Sequence, residues 1–178
     1  MALPPLATAA DLADFGYDED IDDALLLRAS VRVRRYTGQQ ITPGVSTVTL
    51  PASPYQLPQR PVQAVTSVTT EQGAPLPHRL LAWGVLEVPG CGGPIVVEYE
   101  HGYAELPESL VELVCSIASR MANTPAGVHA GARTEQAGGE SITWGSDAYG
   151  GTTGLTEAER SELDRLLPRP PRTTWLRP

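Results

Sequence analysis

The segment Gly102–Val128, GYAELPESLVELVCSIASRMANTPAGV, decides how this chain folds. At roughly 100° per residue, Glu108, Ser109, Glu112, Ser116, Ser119, Arg120 and Asn123 share one arc of about 120°. Leu110, Val111, Leu113, Val114, Cys115, Ile117, Ala118, Met121 and Ala122 fill an arc about 200° wide. A helix lying on a single core needs a stripe of roughly 100°. The excess predicts burial on two sides: either a second layer of this chain covers the helix, or another subunit does. Leu110, Val114, Ile117 and Met121 are the candidate subunit-packing residues. Pro107 is expected at the first helical position and Asn123-Thr124-Pro125 as the stop.

Upstream, Thr8 with Asp11 three residues on reads as a capped start for a short helix over 8–15, ending at Gly16. A second helix is expected from Asp18 or Asp20 to Tyr36, with carboxylates at its start, arginines at its end and Gly38 beyond. The period then changes to that of strands in Ser46–Leu50, Val62–Thr70, Leu80–Trp83, Val85–Val88 and Ile95–Glu100. Within Val62–Thr70, Val62, Ala64 and either Val65 or Ser67 compete for the inner face. Downstream, Ala132–Gln136 and Glu140–Trp144 flank Ala137-Gly138-Gly139 as a second hairpin. Thr156–Glu159 is a capping box opening a last helix that ends at Leu167 before Pro168.

The fold class read from this order is α+β: a small helical bundle core with an inserted antiparallel β module, a later β-hairpin and an extended C-terminal tail. The segments are 1–45 (N-terminal helices), 46–101 (inserted β module), 102–167 (long helix, hairpin and short helix) and 168–178 (tail). The tail, PRPPRTTWLRP, is too rich in Pro and Arg to join a core. Its Arg169, Arg172, Trp175, Leu176 and Arg177 form a candidate anchor for another protein. In the hairpin, Arg133, Glu135, Glu140 and Trp144 are the candidate contact residues.

The chain has 178 residues, 41% of them hydrophobic, which suffices for one core or one core with a satellite. All 13 basic residues are arginine, and the net charge of −8 lacks the basic footprint of a nucleic-acid binder. Acidic residues crowd positions 11–23 and Arg28, Arg32, Arg34 and Arg35 follow at once; such blocks are expected on solvated faces. Cys91 and Cys115 lack metal spacing and are expected to be reduced. His78, His101 and His129 fall in no metal or catalytic pattern and are expected at the surface or at strand edges. The run DEDIDD lacks the glycine and terminal glutamate of a calcium loop, and GCGGP lacks the Lys-Ser/Thr of a phosphate loop. Glu98 and Glu100 share a strand face, which is read as solvated. No catalytic residues, metal ligands or cofactors are assigned, and no enzymatic activity is expected. The first residues lack a signal-peptide pattern and no apolar run approaches the roughly 18 residues of a membrane span, so a chain assembled in the cytoplasm without a membrane partner is expected.

Four blocks carry a resemblance: ASVRVRRYTGQQI at 29–41, PVQAVTSVTTEQGAPL at 61–76, VVEYEHGYAELPESLVELVCSIASRMANTPAG at 96–127 and GLTEAERSELDR at 154–165. In their order the chain resembles the head–tail connector (adaptor) proteins of long-tailed bacteriophages, and in detail those of phages that infect actinobacteria. The third block, a strand running into HGY and then a Pro-opened apolar helix, is the most specific. The resemblance implies a structural virion protein of the neck: a homo-oligomeric ring, usually twelve-fold, under the portal protein. Such a ring extends the DNA channel, lets genomic DNA pass without specific binding, and offers a platform to a stopper or tail protein. It implies that the tail docks onto the portal or a neighbouring copy and that the hairpin faces the channel or the next ring. A stopper or tail-completion ring is the alternative within the same neck, and a β-module ligand-binding protein is the alternative outside it.

Overall fold

The computed structural model describes residues 3–17, 21–51, 53–123 and 154–167, together with the backbone of 134–137 and 140–143. The chain divides into two units, one built from Met1–Gly38 and Pro107–Pro178, the other from Gln39–Leu106. The fold is mixed α+β.

Among the described residues, the first unit contains four α-helices. α1 is Ala9–Asp14, α2 Asp23–Thr37, α3 Glu108–Ala122 and α4 Glu157–Leu166. The predicted capping box of α1 forms: Thr8 N–H donates to Asp11 Oδ2 (2.6 Å) and Asp11 N–H returns a bond to Thr8 Oγ1 (3.4 Å). α2 starts later than its acidic run suggests. Asp22 is the residue whose carboxylate accepts from a helical N–H, that of Ala24 at 3.1 Å, so the helix begins at Asp23 and not at Asp18 or Asp20. Gly38, at φ 68°, ends it as expected. Pro107 sits one position earlier than predicted, as the N-cap of α3 rather than its first residue. Asn123 closes α3 and its side chain donates to the Ser119 carbonyl at 3.0 Å.

α3 packs against α1, α2 and α4. Leu110, Val114 and Ile117 are fully buried, with Leu113, Cys115 and Ala118 beside them, whereas Met121 stays half-buried. Three helices of the same chain therefore cover most of the wide apolar arc, while Val111 is also half-buried and Ala122 exposed. Leu110, Val114 and Ile117 each contribute roughly 1.5–3 kcal/mol by leaving water. Ser30, buried on α2, donates to the Leu26 carbonyl (2.7 Å) and accepts from Leu6 N–H (2.8 Å), tying the N-terminal strap to the bundle.

The second unit holds two three-stranded antiparallel sheets. In the first, β1 (Gly44–Leu50) and β3 (Val62–Thr70) flank β6 (Ile95–His101). The register aligns Ser46, Tyr99 and Val65 on one face, and Thr47, Glu98 and Ser67 on the other. Two register shifts in β3, between Val62 and Ala64 and between Val65 and Ser67, explain why its alternation stutters in the sequence. In the second sheet, β2 (Tyr55–Gln56) and β4 (Arg79–Leu80) flank β5 (Val85–Glu87). β2, hidden among prolines, has no counterpart in the sequence reading. The expected strand Leu80–Trp83 stops at Leu80, because Ala82–Gly84 forms a tight turn. Tyr55, Leu57, Val68, Leu86, Val88, Ile95, Val97 and Tyr99 form the core of this unit.

The second hairpin pairs β7 (Thr134–Ala137) with β8 (Glu140–Thr143), so that Glu140 lies opposite Ala137 and Glu135 opposite Ile142. The ten residues expected to flank the turn thus contract to eight, and Arg133 and Trp144 lie outside the described residues. So do His129 and the whole tail, with Arg169, Arg172, Trp175, Leu176 and Arg177.

Candidate functional site

Three local arrangements carry the polar and strained features of the described chain. The first joins α2, α3 and α4. Arg120 on α3 donates from Nε to Glu159 Oε1 (2.8 Å) and from Nη2 to Glu159 Oε2 (3.0 Å). Its Nη2 also reaches the Gly154 carbonyl at 3.0 Å, and Arg32 on α2 donates to the same carbonyl at 3.0 Å. Glu159 meanwhile closes the predicted capping box, accepting from Thr156 N–H at 2.6 Å and donating its own N–H to Thr156 Oγ1 at 3.2 Å. Gly154 is at φ 69°, and a β-carbon there would meet Arg32 Cζ at 2.5 Å. Burial, then the charges of Arg120 and Arg28, hold the Arg32 guanidinium below its ordinary value, while Glu159 opposes them.

This node has a mechanical consequence. The chain leaves α3 at Asn123, three residues after Arg120, and is held again at Gly154 by Arg120 itself. The segment that contains β7 and β8 thus begins at the end of α3 and is followed by a residue that α3 holds through Arg120. The sequence puts Arg120 in the polar arc of α3 and Arg32 in a basic block expected on a solvated face. Both are instead half-buried and bonded to the chain. Glu159 was legible as a cap, but its long-range partner was not.

The second arrangement is the HGY turn after β6. His101, expected at the surface or at a strand edge, is the last residue of β6 and is buried. Its Nε2 lies 2.8 Å from Ser46 Oγ, and its Nδ1 has no hydrogen-bond partner among the described residues. Burial lowers its pKa below the ordinary 6.5, so the ring is neutral at pH 7. Gly102, at φ 93°, donates its N–H to the Pro61 carbonyl (2.9 Å) and accepts from Gln63 Nε2 (2.7 Å). Tyr103 N–H bonds the Ile41 carbonyl at 2.8 Å. A β-carbon on Gly102 would overlap the Thr42 backbone, so only glycine fits.

The third is the β4–β5 turn. Trp83 (φ 64°, ψ 21°) and Gly84 (φ 70°) are both left-handed, and Val85 N–H bonds the Ala82 carbonyl. Two successive positive φ values define a type I′ hairpin turn, whose first position favours Asn, Asp or Gly. A tryptophan there costs on the order of 1–2 kcal/mol. An X-Gly pair between two apolar runs is the signal that would have located this turn in the sequence.

Cys91 and Cys115 are free. Burial, with Asp11 and Glu112 adding, pushes the Cys115 thiol up to about 11. His78 is exposed. Among the described residues, no group of three or more His, Cys, Asp or Glu is placed to hold a metal ion, and no helix is long and apolar enough to cross a membrane.

The class this fold defines is a helical unit with an inserted two-sheet β unit and a later hairpin. No family model and no curated protein matches the chain. Among solved structures it is similar to a chain in the neck of a native gene transfer agent (GTA) particle computed with C12 symmetry. The two are 21% identical, with a TM-score of 0.50, over 74% of this chain and 87% of that one. A chain in the virion of the native gene transfer agent particle is 22% identical, with a TM-score of 0.52, over 74% and 86%. A chain in the neck of the empty particle, computed with C6 symmetry, is 21% identical, with a TM-score of 0.53, over 90% and 92%. At these identities the likeness establishes a shared fold.

Proposed function

We propose that this chain is a structural protein of the neck of a phage-like particle: a head–tail connector that forms a ring under the portal protein, extends the DNA channel and joins capsid to tail. The observation that carries this reading is the near end-to-end likeness to a chain of a neck assembly, spanning 90% of this chain and 92% of that one. A second such assembly was computed with C12 symmetry, which supports a homo-oligomeric ring of twelve for this chain. The four helices favour the adaptor layer over a mostly β stopper or tail-completion ring. The net charge of −8 suits a channel through which phosphate backbones slide without sticking.

In this reading the acceptor of the portal, or of a neighbouring copy, is the tail segment with Arg169, Arg172, Trp175, Leu176 and Arg177. The hairpin bearing Arg133, Glu135, Glu140 and Trp144 faces the channel or the next ring, on the base that Arg120 and Gly154 fix. Actinobacteriophage connectors are the type the sequence blocks fit. The particle is built in the host cytoplasm and the protein resides in the virion neck.

The test is negative-stain microscopy of the purified protein, alone and mixed with DNA-filled, tailless capsids. Rings, or new density at the single portal vertex, are expected. Monomers that ignore capsids would reject the reading in favour of a ligand-binding β module.

A further inference from the structure

The edges of the two sheets in the second unit are not alike. β2 and β4 are two residues long, too short to template another strand, and prolines stand close to both. β3 carries two register shifts toward its start. Its far end is covered by the chain that follows. Leu76 N–H donates to the Val68 carbonyl (2.9 Å), Thr70 N–H donates to the Ala74 carbonyl (2.8 Å), and Thr69 bridges Pro75. Short length, bulges and a covering loop are devices that keep a strand edge from pairing.

β1 has none of them. Its sequence, GVSTVTL, runs in unbroken register against β6, with no charged side chain and no proline. Every second residue of such an edge strand turns its N–H and C=O away from the neighbouring strand. Among the described residues β1 pairs with β6 alone, and no turn or loop bonds its outer backbone groups. Val45 on this strand is 63% exposed, ahead of Trp83 at 60% and Val31 at 53%. An open edge of this kind is completed by an extended strand, whose main chain supplies the missing hydrogen bonds.

The hairpin has the converse defect. Among the described residues β7 and β8 pair only with each other. A hairpin of two four-residue strands is marginal in water until a further strand or a packing surface joins it. β8 holds Ser141, Ile142 and Thr143, the β-branched and hydroxyl chemistry of β1, whereas β7 holds Glu135, Gln136 and Ala137, which are weaker strand formers.

We propose that β8 of one copy adds to the open edge of β1 in the next, joining a two-stranded and a three-stranded sheet across the subunit boundary. The inference rests on the ring reading and names the contact that closes the ring. A cyclic assembly needs two unlike, complementary surfaces on each copy. An edge that lacks a strand and a hairpin that lacks a sheet are such a pair. β1 bears no charge, so Glu140 of β8 meets no like charge directly across the new pair. The tip of the hairpin is left to face the channel or the next ring.

The experiment reads amide hydrogen exchange by mass spectrometry over 44–50 and 140–143, in wild-type rings and in the same protein diluted to monomers. Both segments should exchange about tenfold more slowly in the ring. Position is then read with single cysteines, Thr47→Cys in one batch and Ser141→Cys in another, each in a Cys91→Ser background. Cys115 is buried and stays silent. Mixed before assembly and treated with a short bis-maleimide, the two batches should give a covalent dimer that neither gives alone. Rings in which 44–50 exchanges as fast as in the monomer overturn the proposal. Rings that protect 44–50 without a cross-link between positions 47 and 141 overturn it too, and assign the edge to a strand from another source. Wild-type protein that stays monomeric, alone and on capsids, rejects the ring reading and this contact with it, a result distinct from rings whose β1 edge stays open.

Discussion

Arg120 holds Glu159 across 39 residues of chain through two bonds of 2.8 and 3.0 Å. The carboxylate is 9% exposed and the guanidinium 24%, so the pair is more shielded than a surface ion pair and its loss is correspondingly costly. Glu159→Ala removes both bonds and the capping contact to Thr156 N–H, leaving a half-buried arginine with a lost partner. We expect a loss of about 2–3 kcal/mol in chemical denaturation. A double-mutant cycle with Thr156→Ala should be clearly non-additive, since both residues serve one cap. Additive losses would show that the node is not one unit.

Gly102 should tolerate nothing larger. Gly102→Ala drives a β-carbon into the Thr42 backbone and forces a left-handed φ on alanine, so a loss of at least about 3 kcal/mol is expected. Gly73→Ala is the control: its φ of 86° carries the same backbone strain with nothing within 4 Å, and about 1 kcal/mol is expected. Equal melting temperatures for the two variants would refute the close-approach argument.

These two sites show what a sequence exposes and what it hides. Local chemistry was legible: the capping boxes at Thr8 and Thr156, the Gly38 stop and the 3.6-residue period of α3 are all encoded within a few positions. Long-range pairing was not. Nothing near Arg120 announces a partner 39 residues away, and helix periodicity alone puts it among the polar residues of α3. The burial of His101 was hidden for the same reason, since its side-chain partner Ser46 lies 55 residues earlier. β2 and the Trp83 turn were lost to a different cause: in a Pro- and Gly-rich stretch, two-residue strands leave no period to detect. The candidate contacts in the tail and at Trp144 remain readings of sequence alone.

His101 gives the protein a pH dependence with a definite sign. Its folded pKa lies below the unfolded 6.5 because burial disfavours the imidazolium. As pH falls below about 6.5, the unfolded chain takes up a proton that the folded chain refuses, so stability declines toward acid. Above neutral pH both states carry the neutral ring and the contribution is flat. His101→Gln should reduce the slope of stability between about pH 7 and pH 5. An unchanged slope would remove His101 as its source.

The two thiols should differ sharply in reactivity. Cys115 is fully buried and its thiol is pushed up to about 11, so almost no thiolate exists at pH 8. Cys91 is partly exposed in its turn. A chromogenic thiol reagent should titrate one group per chain in native protein and two after denaturation. Two fast-reacting groups in the native state would mean that the bundle around α3 opens readily.

Removing residues 168–178 separates attachment from folding. The deletion begins after α4 ends at Leu166 with its Leu167 cap, whose N–H bonds the Leu163 carbonyl at 2.8 Å, so the helical unit keeps its described contacts. The melting temperature should therefore change by no more than a few degrees. What the deletion takes away is Trp175 and Leu176 between arginines, the residues proposed to dock on the portal. Attachment to tailless capsids should be lost. The truncated chain should still form rings that no longer hold the portal vertex. Truncated protein that attaches as wild type does would move the docking role from the tail to the β7–β8 hairpin, where Trp144→Ala becomes the decisive variant.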